Sequence, residues 1–310
     1  MHGILLLDKP EGLSSHQVVK IVKKRLGSLK VGHTGTLDPA ASGLLVILTG
    51  VASRALDFLD EAKKRYILGV RIGEVTDTCD REGQVISTAD ASGVTKQDVL
   101  GALSKFHGSI PQVPPHFSAI KKDGAPLYKL ARRGIFPEIT PRVIVVHKLE
   151  LIQFNPPDLG LDLVCSKGTY ARAIARDLGE ELGVGARLET LRRISSGQFN
   201  VSDAVGLDFI RNASLEEITE RIIPLHNALN NIPQIITSAS ELKRLTLGGQ
   251  IRISNDRIPV VVGVQEISKV PFRVFAPSGG LLIIVKLEME KDSVIVSPSK
   301  VFNWLESSLT

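Results

Sequence analysis

The glycine-rich loop, residues 32–43 with the sequence GHTGTLDPAASG, constrains the fold of this chain more than any other segment. It contains three glycines, one proline and one carboxylate, Asp38, and apolar stretches flank it. Loops of this kind on a rigid scaffold often carry function. Pro39 restricts Asp38 to extended conformations, which limits the directions in which the carboxylate can point. Because an aspartate is ionised at neutral pH, it needs no base to act as a nucleophile.

Three interpretations of this loop are open. Asp-Pro pairs commonly begin a structural turn. Residues 27–34 fit the phosphate-binding pattern G-x-x-x-x-G-K-[ST], except that His33 replaces the lysine that supplies the fixed charge on the phosphates. Gly35 and Pro39 also disfavour the long helix of that pattern, so nucleotide hydrolysis is the least favoured interpretation. The third interpretation is a catalytic carboxylate, and the loop alone does not decide between it and the turn.

The start of the chain predicts a buried strand at residues 3–7, a Pro-Gly turn and then a helix. We expect Ser15 to cap this helix and Gly27 to end it, because apolar residues between them recur at helical spacing. Four basic residues lie on or beside the opposite face: Lys20, Lys23, Lys24 and Arg25. A solvated surface is the common role of such residues, and contact with phosphates is the alternative.

Apolar spacing predicts an alternation of strands and helices as far as residue 182. The predicted strands are residues 44–49, 65–72, 142–154 and 159–166, the last two as a pair. The predicted helices are residues 52–61, 95–106, 127–133 and 170–182. Pro111, Pro114 and Pro115 predict an extended segment before the third of these helices.

A change of composition near residues 226–231, which are rich in asparagine, predicts a linker. Beyond it the sequence predicts one helix, residues 239–247, and several short strands separated by turns at 248–249, 255–256 and 278–280. A stretch of about 80 residues with this pattern is typical of a small β-rich domain. We therefore predict two domains, residues 1–229 and residues 230–310.

The charge of the chain permits a nucleic acid partner without requiring one. Lysine and arginine total 38 and aspartate and glutamate total 33, so the net charge is +5, and aromatic residues make up only 5%. Two cysteines, Cys79 and Cys165, are too few for a disulfide framework or a four-cysteine zinc site. No apolar run reaches the roughly 18 residues of a membrane span, and the N-terminus lacks the basic start of a signal peptide. We therefore expect a reduced, soluble, cytoplasmic protein.

Residues 165–172 are the second segment of interest, since they join a strand end, a glycine turn and a helix start. Free backbone N–H groups at such a junction can bind an anion. Arg172 and Arg176 lie one helical turn apart, with Asp177 beside them. This arrangement also fits an ordinary salt-bridged helix face, and the residues leave both interpretations open.

Two further charged groups have simple interpretations. Asp77, Asp80 and Glu82 precede a glycine, but their spacing does not match an EF-hand loop, which favours a solvated turn over a metal site. Arg192 and Arg193 precede a Ser-Ser-Gly turn. They are either phosphate contacts or surface charge.

Taken together, these segments resemble the bacterial tRNA pseudouridine-55 synthases, the TruB family. Residues 32–43 are similar to the family's catalytic loop almost residue for residue. The other matching segments, in the family's order, are residues 9–15, 64–66, 112–121, 127–128, 166–172 and 191–193. Ser14, Ala171 and Ile194 depart from the residues usual in the family, and none of these changes removes a functional group from the reaction centre.

The resemblance implies an α+β fold with a mixed, largely antiparallel sheet flanked by helices and loops. The C-terminal region resembles a PUA domain, an RNA-binding module, mainly through residues 248–251 and 279–282. The implied reaction converts a uridine in the tRNA T-loop, position 55, to pseudouridine. It requires base flipping, cleavage of the N1–C1′ bond and joining of C5 to C1′.

The resemblance also implies roles for individual residues. Asp38 would be the catalytic aspartate, which either attacks C1′ or assists deprotonation at C2′, with Arg172 as its ionic partner. Tyr66 would stack on the target base, and His33 would fill the space that the flipped uridine leaves in the T-loop. The full set of implied substrate-binding residues is His33, Tyr66, Tyr170, Arg172, Leu191 and Lys9.

The implied partner is the T-stem-loop of tRNA, and an isomerisation implies neither a cofactor nor a metal. We expect a monomer that acts away from membranes. Two alternatives stay open: a tRNA-folding chaperone that does not require catalysis, and the catalytic subunit of an RNA-guided pseudouridine synthase. The presence of Asp38, Tyr66 and Arg172 together favours an enzyme over a pure binding protein.

Overall fold

Short helices and strands alternate along the whole chain. The computed structural model describes residues 2–27, 30–59, 63–122, 124–260, 266–276 and 281–303. Its helices are α1 (Ser15–Arg25), α2 (Leu56–Leu59), α3 (Lys96–Leu103), α4 (Leu127–Ala131), α5 (Ala171–Glu181), α6 (Leu207–Asn212), α7 (Leu215–Glu220), α8 (Leu225–Ala228) and α9 (Ala239–Thr246). No helix within these ranges is long and apolar enough to cross a membrane.

The strands of the described residues are, in order, β1 (Gly3–Lys9), β2 (Val31–His33), β3 (Ala41–Thr49), β4 (Lys64–Ile72), β5 (Glu74–Thr76), β6 (Val85–Thr88), β7 (Gly108–Gln112), β8 (Lys121–Lys122), β9 (Ala125–Pro126), β10 (Arg142–Asn155), β11 (Asp158–Cys165), β12 (Ala186–Ser196), β13 (Phe199–Asn200), β14 (Val205–Gly206), β15 (Ile223–Pro224), β16 (Ile251–Ser254), β17 (Phe272–Phe275), β18 (Leu281–Met289) and β19 (Ser293–Asn303). Turns of 3₁₀ helix occur at Gly50–Arg54, Val201–Asp203, Asn255–Arg257 and Ile267–Lys269.

One sheet of 11 strands forms the centre of the molecule, in the order β14-β1-β3-β12-β4-β11-β10-β7, with β13 beside β12, β15 beside β1 and β2 beside β3. Two of its pairs, β12–β3 and β1–β14, are parallel, and the remainder are antiparallel. The continuous apolar sequences of β1 and β3 are almost wholly buried, whereas β4 buries alternate residues. The expected mixed, largely antiparallel sheet is confirmed.

The parallel pairing of β12 with β3 brings the end of the glycine-rich loop beside two distant segments. In β12, Leu191 lies opposite Ala41 of β3. Arg193 lies between Gly43 of β3 and Tyr66 of β4. Gly43 has φ +100°, and a Cβ atom there would lie 2.3 Å from the carbonyl oxygen of Arg193. Only glycine therefore fits where the loop enters the sheet.

Helix α5 packs directly against β12. It confirms the predicted helix at residues 170–182 to within one residue at each end, with Tyr170 and Leu182 as the caps. A Cβ atom on Gly179 would lie 2.1 Å from the backbone nitrogen of Ala186 in β12, so the helix backbone touches the strand. This close contact fixes the helix, and therefore Arg172 in its first turn, relative to the sheet.

Two details predicted for the N-terminal half are wrong. Ser14, not Ser15, caps α1: its hydroxyl accepts a hydrogen bond from Gln17 N, and the Gln17 side chain binds the Ser14 backbone in return. The predicted helix at residues 52–61 is instead a 3₁₀ turn followed by the single turn α2. Residues 60–62 of that prediction lie outside the described residues.

The irregular part of the glycine-rich loop is shorter than predicted. Val31–His33 form β2, and Ala41 already begins β3, so only residues 34–40 are without regular structure. After Thr34 the chain continues as irregular structure to residue 40 and then as strand β3, without the helix that a phosphate-binding loop requires. Residues 28 and 29 of that pattern lie outside the described residues. The structure thus gives no support to nucleotide hydrolysis.

A separate antiparallel sheet in the order β16-β19-β18-β17 forms the C-terminal region, with α9 beside it. The predicted helix and short strands are therefore present, while the turn at residues 278–280 and the glycines 279 and 280 of the PUA-like motif lie outside the described residues. Three side chains of this sheet, Leu282, Ile284 and Phe302, share a hydrophobic cluster with Ile4 and Leu6 of β1.

Residues 226–231, predicted as a linker, are only partly exposed, because Ala228 and Leu229 are buried whereas the three asparagines are exposed. Leu229 is fully buried in the same cluster, and Arg273 of β17 donates a hydrogen bond to the His226 carbonyl at 2.6 Å. The ring of Phe275 stacks on the His226 ring, with 4.4 Å between centroids. The segment is thus held against the C-terminal sheet at His226, and its role as a linker stays a prediction. The domain boundary at residues 229 and 230 stays a prediction.

Candidate active site

A cleft of about 670 Å³ opens beside the glycine-rich loop. Its walls come from parts of the chain that are far apart in sequence: the loop, β4, the acidic turn after β5, the segment before α4, the start of α5 and β12. Five of the predicted site residues line it: Asp38, Tyr66, Tyr170, Arg172 and Leu191. A cleft of this volume can enclose one nucleotide-sized group.

Asp38 and Arg172 form an ion pair in this cleft, with 3.2 Å between Oδ2 and Nη2. The Asp38 side chain is 45% exposed, whereas that of Arg172 is 9% exposed. The Asp38 carbonyl accepts a hydrogen bond from Ala41 N at 3.1 Å, which holds the backbone of the loop. A buried guanidinium thus orients a carboxylate that remains accessible from the cleft.

Arg172 connects three walls of the cleft. Its Nη1 donates to Asp80 Oδ2 at 3.2 Å and to the Thr78 carbonyl at 3.3 Å. Its Nη2, which contacts Asp38, also donates to the Phe117 carbonyl at 2.9 Å. The planar guanidinium suits this role, because its donors point in fixed directions and reach several acceptors at once.

Asp80 is buried, so the predicted solvated turn is wrong for this residue. Its Oδ1 accepts hydrogen bonds from Thr78 Oγ1 at 2.6 Å and Glu82 N at 3.0 Å. Cys79, between Thr78 and Asp80, has φ +61°, a conformation that non-glycine residues rarely adopt. This turn brings the Thr78 carbonyl and the Asp80 carboxylate to the same nitrogen of Arg172. The described residues contain no group of side chains that could hold a metal ion.

Lys9 lies beneath the loop and does not line the cleft, and the substrate-binding role implied for it stays a prediction. Its ammonium is buried and donates to the carbonyls of Pro10 at 2.8 Å, Leu13 at 2.6 Å and Pro39 at 3.3 Å. Burial lowers the pKa of Lys9 to about 8. These bonds tie the N-terminal turn to the residue after Asp38, which makes Lys9 a positioning residue for the loop.

Ser15 and Arg193 hold the loop from two other sides. Ser15 Oγ accepts a hydrogen bond from Leu37 N at 2.8 Å and donates one to Leu37 O at 3.0 Å. Arg193 is buried, and it donates to Leu44 O at 2.6 Å and to Gly35 O at 3.0 Å. Arg193 also lines the cleft. Its interpretation as surface charge is therefore wrong, and its contact with a phosphate stays a prediction.

Tyr66 and Leu191 reach the cleft from the neighbouring strands β4 and β12. Tyr170 is placed by Gln112, a buried residue whose amide nitrogen donates to Tyr170 O at 3.1 Å and whose amide oxygen accepts from Tyr170 N at 2.9 Å. This two-point contact fixes the backbone just before α5. Two tyrosines and a leucine around one cleft offer apolar and stacking surfaces for a flat base.

His33 lies in β2 opposite Ile47 and does not line the cleft. Its Nδ1 is buried and has no hydrogen-bond partner within the described ranges. Burial, together with the charge of Arg193, lowers the pKa of His33. The role implied for His33, inside the T-loop rather than around the flipped base, stays a prediction.

Comparison with known proteins agrees with the sequence motifs. The model of the TruB family pseudouridylate synthase N-terminal domain matches residues 23–171, and that of the tRNA pseudouridylate synthase B C-terminal domain matches residues 172–230. A tRNA pseudouridine synthase B of Syntrophotalea carbinolica is 41% identical over 281 residues, which cover 91% of this chain and 90% of that protein. The chain belongs to the TruB family. Another TruB-family relative, the tRNA pseudouridine synthase B of Mannheimia succiniciproducens, is 38% identical and covers 98% of this chain and 96% of its own length.

Solved structures extend the similarity to the fold of this TruB-family enzyme. A Cbf5–Nop10–Gar1 complex gives a TM-score of 0.73 at 25% identity and covers 97% of this chain and 85% of that chain. An H/ACA RNP bound to a substrate RNA containing 2′-deoxyuridine gives a TM-score of 0.71 at 24% identity, with the same coverage. The expected pseudouridine synthase fold is confirmed, and membership of the TruB family makes the chain an isomerase.

Proposed function

We propose that this chain converts the uridine at position 55 in the T-loop of tRNA to pseudouridine. The relatives named tRNA pseudouridine synthase B support tRNA as the substrate, because the similarity spans most of each chain. The observation that carries the proposal is the Asp38–Arg172 pair. It presents an accessible carboxylate, held by a buried guanidinium, in a cleft that Tyr66 lines.

The reaction requires the target base to leave its stack, because the glycosidic bond cannot be cut and remade within it. Asp38 then either attacks C1′ or assists deprotonation at C2′, and the N1–C1′ bond breaks with its electron pair on the base. The base turns, and C5 bonds to C1′ as the bond from Asp38 to C1′ breaks or as C2′ regains its proton. C5 then loses its proton and N1 gains one. In this scheme Tyr66 stacks on the base, Tyr170 and Leu191 enclose it, and Arg172 orients Asp38.

The proposal needs a single macromolecular partner, the T-stem-loop of tRNA. The scheme includes no cofactor or metal, because it moves only protons and electron pairs of Asp38, the substrate and water. We further propose a monomer that acts in the cytoplasm, with a catalytic domain at residues 1–229 and a PUA-like RNA-binding domain at residues 230–310. The separate sheet of four C-terminal strands supports this division.

Tritium release tests the proposed function directly. tRNA labelled with tritium at C5 of uridine loses the label only when C5 bonds to C1′, so the purified chain is expected to release close to one equivalent from position 55. Binding of tRNA without any release would favour the folding chaperone. Release that depends on an added guide RNA would favour the RNA-guided enzyme.

The basic face of α1 provides a test of tRNA docking. Lys20, Lys23 and Lys24 are exposed, and none of them forms an ion pair with a described residue. Arg25 differs, since its guanidinium donates to the carbonyls of Ile210 and Ala213. The three lysines are therefore available for phosphates, whereas Arg25 holds α6.

We expect the double variant Lys23→Ala/Lys24→Ala to bind tRNA with a shallower dependence on salt. Each lost phosphate contact should reduce the slope of log K against log salt concentration by about 0.7–0.9. Titration of labelled tRNA at several salt concentrations measures this slope. The matched control is Lys96→Ala, an exposed lysine of α3. An unchanged slope in the double variant would indicate that these lysines are solvated and do not contact the tRNA phosphates.

A further inference from the structure

Ser118 lies in the wall of the cleft and carries a hydroxyl group that no described residue binds. The residue is 4% exposed, and its Oγ is buried without a hydrogen-bond partner within the described ranges. A buried hydroxyl without a partner destabilises a fold, so an unused one in a substrate cleft calls for an explanation. A ligand that enters the cleft can supply the missing partner.

The backbone of Ser118 is held on both sides. The Phe117 carbonyl accepts a hydrogen bond from Arg172 Nη2 at 2.9 Å, and the Ser118 carbonyl accepts one from Tyr128 N at 3.0 Å. The same Arg172 nitrogen contacts Asp38. Ser118 therefore directly follows the residue whose carbonyl binds the guanidinium that orients the reacting carboxylate. No hydrogen bond with a described residue holds its side chain, so the hydroxyl can bind a ligand without breaking one.

We propose that Ser118 is a substrate-contacting residue whose hydroxyl donates a hydrogen bond to a carbonyl oxygen of the extruded uracil. The proposal rests on the proposed function, since it places the target base in this cleft. Tyr66 and Leu191 offer surfaces to the faces of the base, and a hydroxyl at the wall offers a polar contact to its edge. Ser118 would thereby fix which edge of the ring points away from Asp38.

The symmetry of uracil gives this contact a second use. A half-turn of the ring about the axis through N3 and C6 exchanges N1 with C5 and O2 with O4. One hydroxyl at a fixed position therefore meets one carbonyl oxygen before the base turns and the other afterwards. When the N1–C1′ bond breaks, the electron pair stays on the base and its charge spreads onto O2 and O4, so the hydrogen bond strengthens at that step.

The variant Ser118→Ala tests the proposal. We expect its single-turnover rate of tritium release to fall roughly 10- to 100-fold, as for the loss of a donor to a charged oxygen. Affinity for tRNA should remain near wild type, because the RNA backbone contacts are untouched. The melting temperature should stay equal or rise, because the variant removes an unpaired buried hydroxyl.

The matched control is Ser53→Ala, which removes a hydroxyl bound to Gly50 O at 2.8 Å in a 3₁₀ turn outside the cleft lining. We expect this variant to keep the wild-type rate. A wild-type rate in Ser118→Ala would overturn the proposal. A rate that falls together with the melting temperature would also overturn it, because that result indicates a structural role.

Modified substrates test which atom of the base is bound. Stem-loop RNAs with 2-thiouridine or 4-thiouridine at the target replace one carbonyl oxygen with sulfur, a weaker acceptor. We expect at least one of these RNAs to react more slowly with the wild type, and its effect on Ser118→Ala to be much smaller. The reason is that the sulfur and the variant each remove the same hydrogen bond. If the effects of the variant and of the sulfur on the release rate were fully additive for both RNAs, the proposed contact would be wrong. If the wild type released no tritium from unmodified tRNA, the proposed function itself would be wrong.

Discussion

Replacing Asp38 by asparagine will lower tritium release from tRNA by about 1000-fold or more, while tRNA binding persists. The amide has nearly the same shape as the carboxylate, but it neither attacks C1′ nor accepts a proton from C2′. Because the side chain is 45% exposed, the change leaves no buried group unpaired in Asp38 itself. Single-turnover release and filter binding of the same labelled tRNA separate the chemical step from docking.

A second aspartate provides the control for this experiment. Asp90 is exposed, lies outside the cleft lining, and accepts a hydrogen bond from Ser92 N at 2.9 Å. The variant Asp90→Asn makes the same chemical change and should keep the wild-type rate. Near-normal turnover in Asp38→Asn would show that another group performs the reaction, even if the chain is a pseudouridine synthase.

Replacing Arg172 by lysine will slow release by about 100-fold even though the positive charge remains. A lysine ammonium cannot reach Asp38, Asp80 and the Phe117 carbonyl at the same time, so Asp38 loses its fixed orientation. Asp80 has a side chain that is only 11% exposed and loses its charged partner. We therefore also expect the free energy of unfolding to fall by about 2 kcal/mol, measured by urea denaturation.

The same helix contains a suitable control, Arg176. It lies one turn further along α5, outside the cleft lining, and binds Asp177 and the Val113 carbonyl. Arg176→Lys should release tritium at close to the wild-type rate. If the two lysine variants slowed the reaction equally, Arg172 would have no special relation to Asp38.

Local sequence was sufficient for the parts of the site that lie within one segment. Asp38 stands out because its loop combines three glycines with a proline and one carboxylate between apolar strands. Helix α5 follows from apolar spacing, and Arg172 falls in its first turn. Their pairing is not visible in any spacing and was expected only because the chain resembles a known family.

The residues that sequence reasoning misjudged depend on contacts between distant segments. Asp80 resembles a solvated turn residue, and only the fold brings it to Arg172, which lies 92 positions away. Arg193 resembles surface charge, but β12 inserts between β3 and β4 and buries it. Lys9 belongs to a matching motif, yet its ammonium turns inward to backbone carbonyls. An isolated charged residue gives no local signal of the partner that will bury it.

The cluster that joins Ile4 and Leu6 to Leu282, Ile284 and Phe302 has a consequence for biosynthesis. The first strand leaves the ribosome long before the last one, and at about 5–20 residues per second the delay is roughly 15–60 s. During that time the apolar face of the nascent sheet is exposed to solvent. Translation of an mRNA truncated near its 3′ end would leave this face exposed permanently, so truncated chains would present an apolar surface to chaperones and proteases.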